Sequence, residues 1–444
     1  MAGKGIAGLT GQLKDKLIQQ ALERKLKQAE QAPLQPLRSG REIPESFCRF
    51  DLHPGYQQLR IMSEGGQRLG VPSPFFKLHD GLAGATTHIG GREYINFASY
   101  NYLGLNGHPA VQEAAKQAID RYGISVSASR PVSGERPVHR ELEETIAAAY
   151  EVDAAVVFVS GHATNVSTIG MLFGPKDLVI HDEYIHNSAL QGMLLSGAKR
   201  LSIPHNDLDA LDDILIRNRH DFERVLIVVE GIYSMDGDYP DLPRLIEIKQ
   251  RHRAFLMVDE AHSFGVMGRN GLGLREHFGI AGKAVDIWMG TLSKSLAGCG
   301  GYIAGENALV EHLKFLAPGF LYSVGMPAPV AAASRMALNC MLAEPERVQR
   351  LQQMGAYFLR QARQLGIDTG ASTGLAVIPA IVGSSLRAAR LSSSLFEQGI
   401  NVQPILYPAV PEKAARLRFF ISCEHTEEQI DQTLAALKKA LADF

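Results

Sequence analysis

Seven short apolar runs between residues 154 and 304 narrow the folds open to this chain more than any other feature. They lie at 154–159, 178–181, 200–204, 225–229, 255–258, 286–289 and 301–304, with helical stretches between them. The first six draw on Val, Ile, Leu, Phe or Met without clean alternation, the pattern of strands covered by helices on both faces. Strand and helix in turn build an α/β domain around a mostly parallel sheet. Such sheets take ligands beyond the carboxyl ends of their strands. At 444 residues the chain exceeds what one core holds, about 250–300 residues, so a second lobe is expected.

Residues with chemical potential follow these runs. Gly290-Thr291-Leu292-Ser293-Lys294-Ser295-Leu296-Ala297-Gly298 ends the sixth run and opens into Gly300-Gly301. A lysine placed after two hydroxyl residues at the mouth of a sheet can bond a carbonyl once its amine is partly desolvated, as a pyridoxal phosphate lysine does. Alone, the stretch also reads as a surface lysine in a polar turn. Upstream, Phe255 to Val258 runs into Asp259, with His262 three residues on. A cofactor whose pyridine ring acts as an electron sink needs such a carboxylate to keep the ring nitrogen protonated. Asp-Glu-Ala-His also occurs in ATP-driven helicases, but the phosphate loop GxxxxGK[ST] that they require is missing here. Ser160-Gly161-His162-Ala163-Thr164-Asn165 follows the first run and starts a helix, where free amides suit a dianionic phosphate and Gly161 permits close approach. Thr291 and Ser293 can add hydroxyls to that cup.

Lys294 in TLSKSLAG, Asp259 and His262 in VDEAHSFG, Glu230 to Gly237 in EGIYSMDG and His186 in HDEYIHNS together resemble the α-oxoamine synthases, in order and spacing over residues 90–440. That family comprises pyridoxal 5'-phosphate (PLP) enzymes of fold type I, among them serine palmitoyltransferase and 8-amino-7-oxononanoate synthase. The resemblance implies a large domain with a mostly parallel seven-stranded sheet and a smaller carboxyl-terminal α+β domain. It divides the chain into a helical arm and linker at 1–60, a segment with a hairpin at 61–100, a PLP-binding domain at 101–330 and a small domain at 331–444. It also implies the reaction: an amino acid and an acyl thioester condense with loss of carbon dioxide and thiol, giving an α-amino ketone, without a metal.

By the same resemblance, Lys294 holds the cofactor and moves the α-proton, Asp259 pairs with the ring nitrogen and His186 stacks on the ring. Ser234 and His262 bond the phenolic oxygen, and His262 helps polarise the thioester carbonyl. Ser160, Gly161 and His162 lie by the cofactor, with Thr291 favoured for the phosphate. Tyr100 and Asn101 lie near the substrate carboxylate, which Arg418 grips with a planar, permanently charged fork. Ser323 is expected to lend its hydroxyl to the phosphate of a partner subunit in a homodimer, although Val324 and Gly325 stand where relatives carry further hydroxyls. The hydroxyl-rich loop at 123–134 is expected to reach the neighbouring site.

Tyr100-Asn101-Tyr102 is nearer serine palmitoyltransferases than the other branches, and Phe420 departs from a hydroxyl residue common there. The amino-terminal arm and the Ser-Val-Ser-Ala-Ser-Arg loop favour an acyl carrier protein as thioester donor, with coenzyme A left open. An aldolase-type reaction on the same scaffold and a cofactor-free partner subunit are the alternatives. The joint presence of Lys294, Asp259 and His186 opposes the second.

Elsewhere, residues 10–30 show helical spacing with one apolar face, to be covered by the chain itself, a sister subunit or a carrier protein. A linker follows at 32–44, a hairpin at 87–97 and helices at 109–122 and 138–150. A long helix at 328–342 leads to helices at 345–365, 385–398 and 427–442 and strands at 377–382, 402–406 and 417–422. Thr426 and Gln429 form a capping box. The 45 Lys and Arg against 47 Asp and Glu leave no basic field for nucleic acid. Four scattered cysteines, with no CxxC pair and no apolar run of signal or membrane-spanning length, point to a reducing, cytoplasmic setting.

Overall fold

The computed structural model describes residues 43–68 and 72–443. The helix expected over 10–30 and most of the linker after it lie outside the described residues. The central sheet contains β1 (Ala154–Phe158), β2 (Leu178–Asp182), β3 (Lys199–Ile203), β4 (Val225–Glu230), β5 (Phe255–Asp259), β6 (Ile287–Thr291) and β7 (Gly301–Gly305). Its spatial order is β1-β7-β6-β5-β4-β2-β3. All neighbours are parallel except β7, which runs antiparallel to both β1 and β6. The link from β6 to β7 is too short for the crossover a parallel pair needs, so β7 turns back as a hairpin partner.

Two departures from the sequence reading have local causes. The strand expected at 286–289 continues through Gly290 to Thr291 because Gly290 has no side chain; a Cβ there would stand 2.2 Å from the Tyr302 hydroxyl on β7. The run expected at 200–204 is not covered on both faces. It forms the edge strand β3, with Lys199 and Arg200 exposed, and stops before Pro204, which has no N–H for a ladder.

Successive residues of the central strands face opposite sides. Val157, Ile180, Ile227 and Val258 join one buried cluster, and Val156, Val179, Val228 and Met257 the other. Helices α1 (Pro109–Tyr122) and α2 (Pro137–Tyr150) precede the sheet; α3 (Gly161–Leu172) follows β1 and α4 (Asn187–Ser196) follows β2. Gly192 lets α4 lie against α3, since a Cβ there would come 2.8 Å from the Asn165 carbonyl.

After α5 (Ala328–Ala343) and α6 (Pro345–Gln364), the carboxyl-terminal part packs α7 (Ser385–Glu397) against an antiparallel sheet, with α8 (Glu427–Asp443) lying on α6 and α7. That sheet holds β8 (Val377–Ile381), β9 (Gln403–Ile405) and β10 (Arg416–Phe420) in the order β8-β10-β9. The capping box opens α8: the Gln429 amide donates to Thr426 Oγ1 (3.2 Å) and the Thr426 amide to Gln429 Oε1 (3.1 Å). The hairpin of Thr86–Ile89 and Arg92–Asn96 turns on Gly90 and Gly91, whose φ values of 59° and 79° suit a two-residue turn. Its second strand pairs with Ile400–Asn401, tying the hairpin to the carboxyl-terminal part.

Candidate active site

Strand ends of the central sheet meet at a cavity of about 110 Å³ lined by residues of β4, β5, β6 and the two helix starts. Ser160 caps α3 by accepting the Ala163 amide (3.4 Å). The first amides of a helix have no partner within it and carry the positive end of its dipole. Gly161 and Gly301 keep that helix start close to the sheet. A Cβ on Gly161 would lie 3.1 Å from Thr291 Oγ1, and one on Gly301 would lie 2.5 Å from Thr164 Oγ1 and 2.7 Å from Gly161 Cα. Thr291 donates its hydroxyl proton to the Gly300 carbonyl (2.9 Å), while Ser293 is exposed and accepts from the Gly300 amide (3.4 Å). His162 lines the cavity beside them.

Asp259 ends β5 with both oxygens engaged: Oδ2 accepts from Asn165 Nδ2 (2.9 Å) and Oδ1 from the Ala261 amide (3.0 Å). Asn165 also donates to Ser188 Oγ (2.9 Å), and Ser188 bonds His186 Nδ1 through its hydroxyl (2.7 Å) and its amide (3.2 Å). Nδ1 of His186 is therefore an acceptor. Burial holds His186 below its usual pKa, so its neutral form carries the proton on Nε2. His262 is likewise held well below its usual value by burial, with the positive charges of Lys294 and Arg418 adding to the effect. Its Nδ1 bonds the Tyr102 hydroxyl (2.8 Å), and its ring lies nearly parallel to Phe420.

Burial pushes the Lys294 amine down to about 8, against the opposing pull of Asp259 and Glu230. The same side chain lines a second, larger cleft of about 420 Å³, together with Ser99, Tyr100, Asn101 and Ser293. Its Nζ stands 5.7 Å from the centre of the Tyr100 ring. Arg418 on β10 donates through Nη1 to the Ser234 carbonyl (3.0 Å), and its Nε has no partner among the described residues.

Not every expected residue presents the group assigned to it. Ser234 is held through its backbone, its amide donating to Glu230 Oε2 (3.1 Å) and its carbonyl accepting from Arg418, bonds that leave its hydroxyl uncommitted. Asn101 instead spends its side chain on nearby backbone, donating to the Ala83 carbonyl (2.9 Å) before the hairpin and accepting from the Asn106 amide (3.2 Å). Ser323 does not line the cavity. It sits between exposed Tyr322 and Val324, in a segment joined to the 123–134 loop by the Gly325 amide and the Ala128 carbonyl (2.9 Å). The sequence reading missed roles for Glu230, Asn165 and Ser188. Glu230 had a signal, an acid closing an apolar run as Asp259 does; it stands opposite Asp259 in the sheet. Burial, with the charge of Asp259, raises it to about 8, and its Oε1 has no partner among the described residues.

These groups fit PLP: a glycine-walled helix start for phosphate, an anion for the ring nitrogen, a flat neutral imidazole and a desolvated amine. Residues 92–437 match the model of the class I and II aminotransferase family. The chain is 42% identical over 351 residues to 8-amino-7-oxononanoate synthase of Symbiobacterium thermophilum, covering 79% of this chain and 89% of that one. The chain belongs to the α-oxoamine synthase family. The Bacillus subtilis enzyme 8-amino-7-oxononanoate synthase 1 is 35% identical over 365 residues, 82% of this chain and 92% of that one. Among solved structures, serine palmitoyltransferase from S. paucimobilis superposes with a TM-score of 0.85 at 27% identity, covering 89% of this α-oxoamine synthase and all of that chain. The Francisella tularensis 8-amino-7-oxononanoate synthase gives 0.69 at 28% identity, over 79% and 98% of the two chains.

Proposed function

We propose that this α-oxoamine synthase condenses a small amino acid with an acyl thioester. One carbon–carbon bond forms between the α-carbon and the acyl carbon; the thiol leaves with a proton and the carboxyl carbon leaves as carbon dioxide. Bound PLP supplies the electron sink for the pair left on the α-carbon. Lys294, with an amine near neutrality, both takes and returns a proton at working pH. Asp259, fixed by Asn165 and Ala261, offers its negative charge to the ring nitrogen. His186 fixes the plane of the ring. Tyr102 occupies Nδ1 of His262, leaving Nε2 to bond a phenolic or carbonyl oxygen. Arg418 offers Nε to the amino acid carboxylate, and Tyr100 walls the cleft through which substrates reach Lys294.

The observation that carries this reading is Lys294 itself, shared between the cavity that holds Asp259 and the cleft that holds Tyr100. The polar Ser293 and the start of α3 are assigned to the phosphate, with Thr291 contributing once its hydroxyl turns from Gly300. We assign Ser323 to the phosphate of a second copy in a homodimer. Exposed Ile124, Val132, Tyr322 and Val324 on the two joined segments support that assembly. The hairpin's pairing with Ile400–Asn401 supports grouping it with the carboxyl-terminal lobe. No helix among the described residues is long and apolar enough to cross a membrane, and we propose a cytoplasmic enzyme. Tyr100-Asn101-Tyr102 favours serine, with glycine and alanine as competitors; coenzyme A and an acyl carrier protein are the candidate donors.

The test is to supply PLP-loaded protein with each amino acid and with acyl-coenzyme A or an acyl carrier thioester, and to measure carbon dioxide and free thiol. Equimolar release with one amino acid supports the reading. Aldehyde formation without a thioester assigns the aldolase-type alternative, and failure of the protein to bind PLP assigns the partner-subunit alternative.

A further inference from the structure

Outside the cavity lining, His205 lies just beyond β3, between two carboxylates. Its Nδ1 is 3.0 and 3.1 Å from the oxygens of Asp182, and its Nε2 is 2.8 Å from Asp238 Oδ2. Both ring nitrogens face anionic acceptors, which makes the ring a double donor and therefore an imidazolium. Asn206 repeats the bridge, its amide donating to Asp182 (2.7 Å) and its Nδ2 to Asp238 (2.9 Å). The ring stacks on Tyr184, centre to centre 4.5 Å, and meets Tyr233 edge-on at the same distance.

Each carboxylate begins or ends a loop that reaches the active site. Asp182 closes β2 and accepts the Tyr184 amide (2.8 Å), starting the turn that delivers His186. Asp238 accepts the Tyr233 amide on its carbonyl (2.9 Å), closing the loop that contains Ser234. From the other lobe, Arg418 holds the Ser234 carbonyl (3.0 Å) and Arg416 holds Asp236 (2.8 Å). Within the cavity Glu230 Oε2 accepts the Ser234 amide (3.1 Å). A continuous set of contacts thus runs from Arg418 through the 233–238 loop and His205 to His186.

We propose that His205 is a positioning residue: by donating to Asp182 and Asp238 together, it locks the His186 loop to the Ser234 loop and sets the spacing between His186 and the Arg418 fork. The inference rests on the roles given above to His186 and Arg418. The two carboxylates raise the His205 pKa to about 10 against the cost of burial, so the clamp stays closed across the working pH range. Without the cation, two largely buried anions keep only the neutral donors of Asn206 and the Tyr184 amide, with no charge to balance them, and the loops relax apart.

His205→Gln supplies one neutral donor in place of two charged ones. In the PLP-loaded enzyme this variant should lower kcat at least about tenfold, since displacement of about 1 Å at a reacting centre costs up to a hundredfold. It should also raise KM for the amino acid and change the visible circular dichroism of bound PLP. Adding Asp238→Asn removes the stranded anion and should recover most of the lost rate and dichroism; this double variant also serves if His205→Gln alone does not fold. A fall in melting temperature with kcat, KM and dichroism unchanged overturns the inference, as does a folded double variant no better than His205→Gln. Wild-type protein that turns over normally while His205→Gln does the same defeats only this inference. Wild-type protein without PLP defeats the functional reading, and this inference with it.

Discussion

Replacing Arg418 with Met tests how the amino acid is held. Arg418 has Nη1 committed to the Ser234 carbonyl and Nε without a partner among the described residues. A carboxylate taken by Nε and the remaining amine receives two charge-assisted bonds, each worth about 1.5–3 kcal/mol. Ordering the substrate offsets part of that sum, and a net loss of about 3 kcal/mol corresponds to about two decades in KM. Arg418→Lys keeps the charge without the fork and should recover about one decade. The Ser234 carbonyl also loses a partner in the Met variant, at a cost of about 1–3 kcal/mol of folding stability. Steady-state kinetics at saturating thioester, with PLP content read from absorbance, separate the two effects. A fully loaded Arg418→Met enzyme whose KM for the amino acid stays within about threefold of wild type refutes the assignment.

Three further predictions concern other parts of the same site and its support. Because the Lys294 amine titrates at about 8, PLP uptake by apoenzyme should accelerate about tenfold per pH unit below that value and level off above it; stopped-flow absorbance showing a flat rate between about pH 6 and 9 contradicts this. Gly301→Ala pushes a methyl group against Thr164 and Gly161. Overpacking of about 1–3 kcal/mol should weaken PLP binding roughly five- to a hundredfold in equilibrium titration, although no polar contact is removed. His425 is buried against Phe97, accepts the Ser422 amide and is depressed to about 4. Its folded pKa lies below the unfolded value of about 6.5, so stability is full above pH 6.5 and about 3 kcal/mol is lost as pH falls through 4. Denaturant titrations at the two pH values should show that loss shrinking in His425→Gln.

Much of this arrangement is legible in the sequence because strand ends carry it. An apolar run that stops at Asp259, and another that stops just before Lys294, place both side chains at one edge of a parallel sheet by topology alone. Hairpins, caps and the carboxyl-terminal strands follow from equally local signals, as with Gly90-Gly91 and Thr426 with Gln429. What escaped the sequence depends on contacts between distant segments. Asn165 gains its importance only when α3 lies against β5 and α4, and nothing near it in the chain announces Asp259 as its partner. Glu230 shared the signal of Asp259, but its raised pKa arises from burial beside that second acid. Asn101 stood in a family position, yet hydrogen bonds to the Ala83 carbonyl and the Asn106 amide claimed the side chain expected to meet a ligand.

The reversed direction of β7 decides how the reactive amine can move. Along the other parallel strands, the chain leaves the carboxyl end into a helix or a loop that leads to one. After Thr291 it instead re-enters the sheet at Gly301, hydrogen-bonded to β6 on one side and β1 on the other. Lys294 is mounted on a short arch with both feet anchored in the central sheet, closed further by the Leu292 amide on the Gly300 carbonyl (2.9 Å) and the Gly298 amide on the Leu292 carbonyl (2.8 Å). An amine that has to leave a carbon, carry a proton and return therefore travels on rotations of its own methylene chain. The backbone beneath it serves as a fixed pivot, and turnover needs no opening of the sheet that holds the cofactor.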